Sequence, residues 1–514
     1  MRFIRNSSAL LVVVLAVLVI GAGVAFMQRA RRTHSPAIVD GSRRKLDRNG
    51  DFQRALNDAK PGDTIVLEAG AAYTGPFTLP VKPPSEQFIT IQSSRAAELP
   101  EGVRVKPTDP SQADLFAKLQ SSENGSPVLK TEAGAHHYKF IGIEFSTAGP
   151  EVKVNDLVRL GESNLQKTLD AVPHNIVIDR SYIHGFPTQD VQRGISLNSA
   201  HTDITNSHIS DIHGKGFDTQ AICGWNGPGP FNIINNYLEG AGENIMFGGS
   251  NPSIPELVPT KIVIRDNRVF KPMSWKVGDP SYGGHHWSVK NLFELKNARD
   301  VTVDHNTFEN NWTDAQAGSA ILFTVRNDEG GAPWSVVEDV RFTNNIVKNS
   351  PAALNLLGRD DLKPSKRSNK LEISNNLFFN IGGTFLMMSG YPNVTVTNNT
   401  HIQTGNIMTL HGEKSENFIY EKNITIRDSK GYGVKGDNSG EGTIALDLFT
   451  PGARFLNNVI AGATAKDYPA NNAYPGSAGD IGFENPANGD FRLNARSRFR
   501  QAGADFSKLP KLNP

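Results

Sequence analysis

Short runs of alternating apolar and polar residues recur through the middle of the chain, each broken by an Asn-centred step and followed by another apolar position. They read IVIDRSYI at 176–183, ITNSHI at 204–209, IINNYL at 233–238 and IVIRDNRV at 262–269. The series continues with VTVDHNTF at 301–308, VRFTNNIV at 340–347, LEISNNLF at 371–378 and VTVTNNT at 394–400, with fainter copies at 419–424 and 455–460. Alternation of this kind is the period-2 pattern of a half-buried strand. Asn suits the break, because its side chain tolerates a left-handed backbone and can bond its own turn. The second Asn-like position steps through 181, 207, 236, 267, 306, 345, 376, 399, 423 and 458, so the period runs elastically from 23 to 39 residues. One short strand per copy at such a period predicts a solenoid.

A second strand precedes each turn: RGISLN (193–198), QAICGWN (220–226), ENIMFGG (243–249), NLFELKN (291–297), AILFTVRN (320–327), ALNLLG (353–358), FLMMSG (385–390), IMTLHG (407–412) and IALDL (444–448). Stacked coil on coil, their alternate residues Ile195, Ile222, Ile245, Phe293 and Ile321 fill the core. The residues between them face outward: Cys223 and Trp225, Asn244 and Met246, Glu294 and Lys296, Thr324 and Arg326.

The ends differ from the ladder. Residues 9–27 form an uninterrupted apolar or small-residue run after Arg2 and Arg5, about the length of a spanning helix. The expectation is a signal-anchor or transmembrane segment over 1–33, a polar linker over 34–50, an N-terminal cap and first coils over 51–135, the β-helix over 136–465 and a closing segment over 466–514. That arrangement places the coils outside the cytoplasm, membrane-anchored or, if the segment is cleaved, secreted. Arg29, Arg31 and Arg32 after the apolar run pull against this orientation. A formal net charge of +1 over 514 residues offers no basic field for nucleic acid. The single cysteine, Cys223, excludes an intrachain disulfide framework.

Residues 51–75, DFQRALNDAKPGDTIVLEAGAAYTG, read as a short helix, a Pro-Gly turn and a strand. They resemble the N-terminal cap of the pectate-lyase-like superfamily of right-handed parallel β-helix proteins, and 480–505 resembles the segment that closes its extracellular members. The resemblance spans about residues 50–505. It implies an all-β fold: a right-handed parallel β-helix with a short N-terminal helix cap, preceded by one hydrophobic helix.

The two longest repeats, both of 39 residues, place their extra length in 271–290 and 326–336. Insertions in solenoids become loops on one face, often the binding face. These carry Trp275, Trp287 and Trp334, with His285 and His286. Aromatic faces beside charged groups suit a carbohydrate groove, and the substrate-binding candidates are Trp225, Trp287, Trp334, Asn244 and His286. The order GENIMFGGS (242–250), NLFELKN and TVRN (324–327) is similar to that of the alginate and chondroitin lyases with this fold. That resemblance implies a polysaccharide lyase cleaving an acidic glycan by β-elimination, with Glu243 and Glu294 holding Ca²⁺, Lys296 as base and Arg326 as acid. The chain departs from those enzymes in having Glu294 alone where they pair two Glu residues, and in placing Lys296 too soon after it. The same charges also read as a surface salt-bridge ladder. A non-catalytic glycan-binding or structural β-helix is the rival reading, since the scaffold hosts both.

Overall fold

The computed structural model describes residues 41–511. The apolar run at 9–27 lies outside them; among the described residues no helix is long and apolar enough to cross a membrane. Three parallel sheets of fourteen, thirteen and twelve strands run the length of the molecule. Each full coil contributes one strand to each sheet, and every neighbour in these three sheets is parallel and one coil away. The chain is a parallel β-helix.

Every copy of the Asn motif spans a corner between two sheets. The first residue of the Asn pair takes the left-handed conformation, as at Asn235 (φ 56°), Asp266 (φ 59°), His305 (φ 56°) and Asn344 (φ 56°). The second turns inward. Oδ1 of Asn306 accepts from both the backbone N–H (2.9 Å) and the amide (3.0 Å) of Asn267, while Asn306 donates in the same way to Asn345. This ladder runs on through Asn376, Asn399, Asn423 and Asn458 to Asn472. The two asparagines therefore divide the labour: one bends the backbone, and the other satisfies buried polar groups at the bend. One coil before the first Asn copy, Gly142 (φ 66°) supplies the left-handed step between the strands His136–Ile141 and Ile143–Thr147.

The strand predicted before each corner builds the twelve-stranded sheet, with Ile195, Ile222, Ile245, Phe293 and Ile321 in register and fully buried. One predicted strand is not there. Residues 444–448 belong to an α-helix, Thr443–Phe449, which buries Ala445 and Leu446 against the final coils after the sheet has ended at Val434–Gly436. At the other end the helix Phe52–Asp58 is capped by Asp51 and buries Phe52, Ala55 and Leu56 in the same core. The C-terminal segment folds back along the outer face of the thirteen-stranded sheet. There Phe491 and Leu509 pack on Ile346, Leu377 and Phe379, and Phe499 packs on Ile424 and Val459.

Candidate functional site

The outer face of the twelve-stranded sheet brings buried carboxylates and lysines together. Ser196, Cys223, Met246, Glu294 and Leu322 align in one outward row across successive coils. A second row, at the strand starts, aligns Asp156, Arg193, Gln220 and Glu243. Glu243 and Glu294 thus come from neighbouring coils but from different rows, and both are buried.

Glu243 accepts a hydrogen bond from Gln220 Nε2 at 2.7 Å and lies 3.7 Å from Lys290 Nζ. Lys290 also donates to Asp218. Glu294 accepts from Asn291 Nδ2 at 2.7 Å. Burial pushes the Glu294 carboxyl well above the usual carboxylate range; Lys296 opposes this and Glu243 adds to it. Lys296 is raised as well, for a different reason. Burial alone would lower it, but Glu294, Asp328, Glu243 and Asp218 outweigh that and hold it protonated above the ordinary lysine range. A lysine surrounded by carboxylates is a poor base, so the expected role of Lys296 as base does not fit its electrostatics.

The remaining candidates separate. Arg326 follows Lys296 by a backbone hydrogen bond of 3.0 Å, yet its guanidinium turns to Asp360 (3.0 Å) and Asp361 on the next coil. Asn244 is fully buried and faces inward, not outward as expected. Its amide donates to the carbonyls of Leu238 and Phe270, both at 2.8 Å, and its oxygen accepts from Lys271. The strand begins at Glu243, so the alternation has not yet settled at the corner. Lys271 is itself buried, its ammonium held by the carbonyls of Gly240, Ala241 and Gly242.

Trp287 is 2% exposed and is not a platform for a sugar. His213 stacks on it with ring centroids 3.9 Å apart, His285 stacks at 5.3 Å, and Trp275 and Trp312 complete the cluster. The long insertion thus anchors itself with its tryptophans and delivers Lys290 to Glu243. His286 is exposed and pairs with Asp314 at 2.6 Å. Trp334 is half-buried, its indole donating to the Leu257 carbonyl at 3.0 Å. Trp225 packs on Cys223 and Met246 beneath the Arg193 guanidinium at 4.8 Å. Sequence reasoning passed over Lys290, Gln220, Asn291 and Arg193. Lys290 and Asn291 stand where the insertion rejoins its strand, a signal present in the sequence.

No protein-family model matches the chain, and no curated protein matches it in sequence. Solved structures do match in fold. A PL6 alginate lyase in complex with trisaccharide is 12% identical, with 91% of this chain and 93% of that one covered at a TM-score of 0.52. The catalytic unit of a GH87 alpha-1,3-glucanase from Streptomyces thermodiastaticus strain HF3-3 is 11% identical, with 87% and 71% covered at the same TM-score of 0.52. At these identities the likeness is one of fold, that of the parallel β-helix on which carbohydrate-active enzymes are built.

Proposed function

We propose that the protein is a carbohydrate-active enzyme working on the outer face of the twelve-stranded sheet, and that it cleaves an acidic polysaccharide by β-elimination. The observation that carries this is the juxtaposition of Glu243, Glu294, Lys290 and Lys296, ionisable groups drawn from adjacent coils, the two carboxylates buried and the two ammoniums half-buried. Elimination needs the uronate carboxylate neutralised and a base at the neighbouring C–H. Lys296, held protonated, suits the first task. Glu294, raised by burial, suits the second, because a carboxylate of higher pKa is a stronger base.

Ca²⁺ fits the same cluster. Glu243 Oε1, Gln220 Oε1 and Asn291 Oδ1 are buried oxygens with no hydrogen-bond partner, the hard donor type this ion takes. Glu243 would hold it with them, leaving Glu294 as the base, and when bound it would supply charge neutralisation for a uronate carboxylate. Lys290 stands where it would compete for Glu243.

A panel of uronate polymers, with and without Ca²⁺, read by ultraviolet absorbance of the unsaturated product, tests the reading. Release of reducing ends without absorbance would replace the lyase by a hydrolase, which the raised Glu294 also suits as a proton donor. Glycan binding with neither product would make the protein a non-catalytic glycan binder. We place the coils outside the cytoplasm, anchored through the apolar N-terminal run; protease accessibility of the coils in intact cells checks this.

A further inference from the structure

The outer face of the thirteen-stranded sheet is covered at both ends and open between. From the N-terminal side Leu99, Val105, Leu115 and Phe116 pack against Tyr182. From the C-terminal side Phe491 and Leu509 cover Ile346 and Leu377. Between the two covers lies a cavity of about 450 Å³ whose lining includes Arg104, Arg268, Lys348 and Lys511.

Arg104 enters this cavity from the first cover, and its contacts are with uncharged oxygens only. It donates to the Asn235 carbonyl at 3.2 Å, the Asn235 side chain at 3.3 Å and the Asp266 carbonyl at 2.6 Å. Among the described residues it forms no ion pair. Burial and the nearby Arg268 pull its guanidinium down to about 10. Arg268 is fixed beside it by the Phe270 ring at 4.6 Å and the Tyr237 ring at 5.7 Å. The two carboxylates of the lining are already shared. Glu309 serves both Arg268 and Lys348, each at 3.1 Å, and Asp266 serves both His305 at 2.6 Å and Arg265 at 3.1 Å.

A half-closed cavity where cations outnumber carboxylates, one of them half-buried without a counter-ion, favours an anion. We propose that it is a binding site for an anionic group, a carboxylate, sulfate or phosphate, gripped by the guanidiniums of Arg104 and Arg268 with Lys348 beside them. Guanidiniums pair with such groups through charge-assisted, directional hydrogen bonds. The anion has two sources, an acidic glycan chain or a free oxyanion. The site lies on a different sheet from Glu294, so it stands whether or not the groove is catalytic.

Calorimetric titration of the full chain at low ionic strength, with inorganic phosphate and separately with hexagalacturonate, tests it. The wild type is compared with the double variant Arg268→Gln, Lys348→Gln, and with Lys45→Gln, an exposed lysine at the N-terminal end of the coils. A melting curve checks that each variant is folded. The double variant is expected to lose roughly tenfold or more in affinity, as for removal of charge-assisted contacts, while Lys45→Gln retains the binding. Loss for hexagalacturonate alone assigns an acidic glycan; loss for phosphate as well assigns a free oxyanion. Equal affinities in the wild type and the double variant, no binding of either ligand to the wild type, or an equal loss in Lys45→Gln would each overturn the proposal.

Discussion

Lys290 Nζ lies 3.7 Å from Oε1 of Glu243, and among the described residues it is the one cation within ion-pair reach of that buried carboxylate. The lysine comes from the end of a long insertion and the glutamate from the start of a strand on the preceding coil. Removing one partner of a buried pair costs more than the pair contributes, because the other charge is left uncompensated. Lys290→Met is therefore expected to destabilise the fold by about 3 kcal/mol and to abolish activity. Adding Glu243→Gln should recover most of the stability and none of the activity. Urea denaturation of the two single variants and the double variant measures the coupling.

Glu294 sets a pH dependence. Its folded-state pKa is raised, so between the ordinary carboxylate range and that raised value the folded protein binds more protons than the unfolded chain. The stability it contributes is present at low pH and is lost as pH rises. Glu294→Gln should thus gain in melting temperature relative to the wild type as pH increases from about 4 towards neutrality. A difference that stayed constant over this range would show that Glu294 titrates as an ordinary surface carboxylate.

The two asparagines of each corner should respond differently to substitution. Asn306→Ala strips an oxygen that accepts from both the backbone and the side chain of Asn267, and an amide that donates to the carbonyl of Ile264. The expected loss is about 3 kcal/mol or more, since buried donors are left unmatched. Asn344→Ala loses part-buried hydrogen bonds to Asp304 and Asn375, whose groups stay near solvent, and places there a side chain that disfavours the left-handed region, costing roughly 1–2 kcal/mol. Chemical denaturation of the pair separates the two roles.

Trp287→Ala should act through stability first. The ring fills a cluster with His213, Trp275 and Trp312, and truncating such a residue costs about 3–5 kcal/mol. Limited proteolysis should then nick the insertion between 276 and 286. A variant as stable and as protease-resistant as the wild type, but defective in glycan binding, would restore Trp287 as a sugar platform.

The strand alternation and the Asn step made the solenoid legible, because both are local. A period of two marks the strand, and a residue that tolerates the left-handed region marks the corner. Ile222, Ile245, Phe293 and Ile321 were placed correctly in the core for this reason. Asn244 was not, since a strand's first residues have not yet entered its alternation. The helix at Thr443–Phe449 escaped for a related reason: five residues of mixed polarity fit a strand or a helix, and the end of the sheet decided between them.

What the sequence by itself determined is the stack of coils and the face that carries Glu294, since short-range pattern dictates both. Tertiary structure decided the chemistry of that face. Lys290 meets Glu243 only because an insertion folds back on its own tryptophans, and Trp287 is spent on that anchoring rather than on substrate. Protonation is likewise decided in three dimensions. The charge of Lys296 depends on Asp218, Glu243, Glu294 and Asp328, which gather around it from four separate stretches of chain.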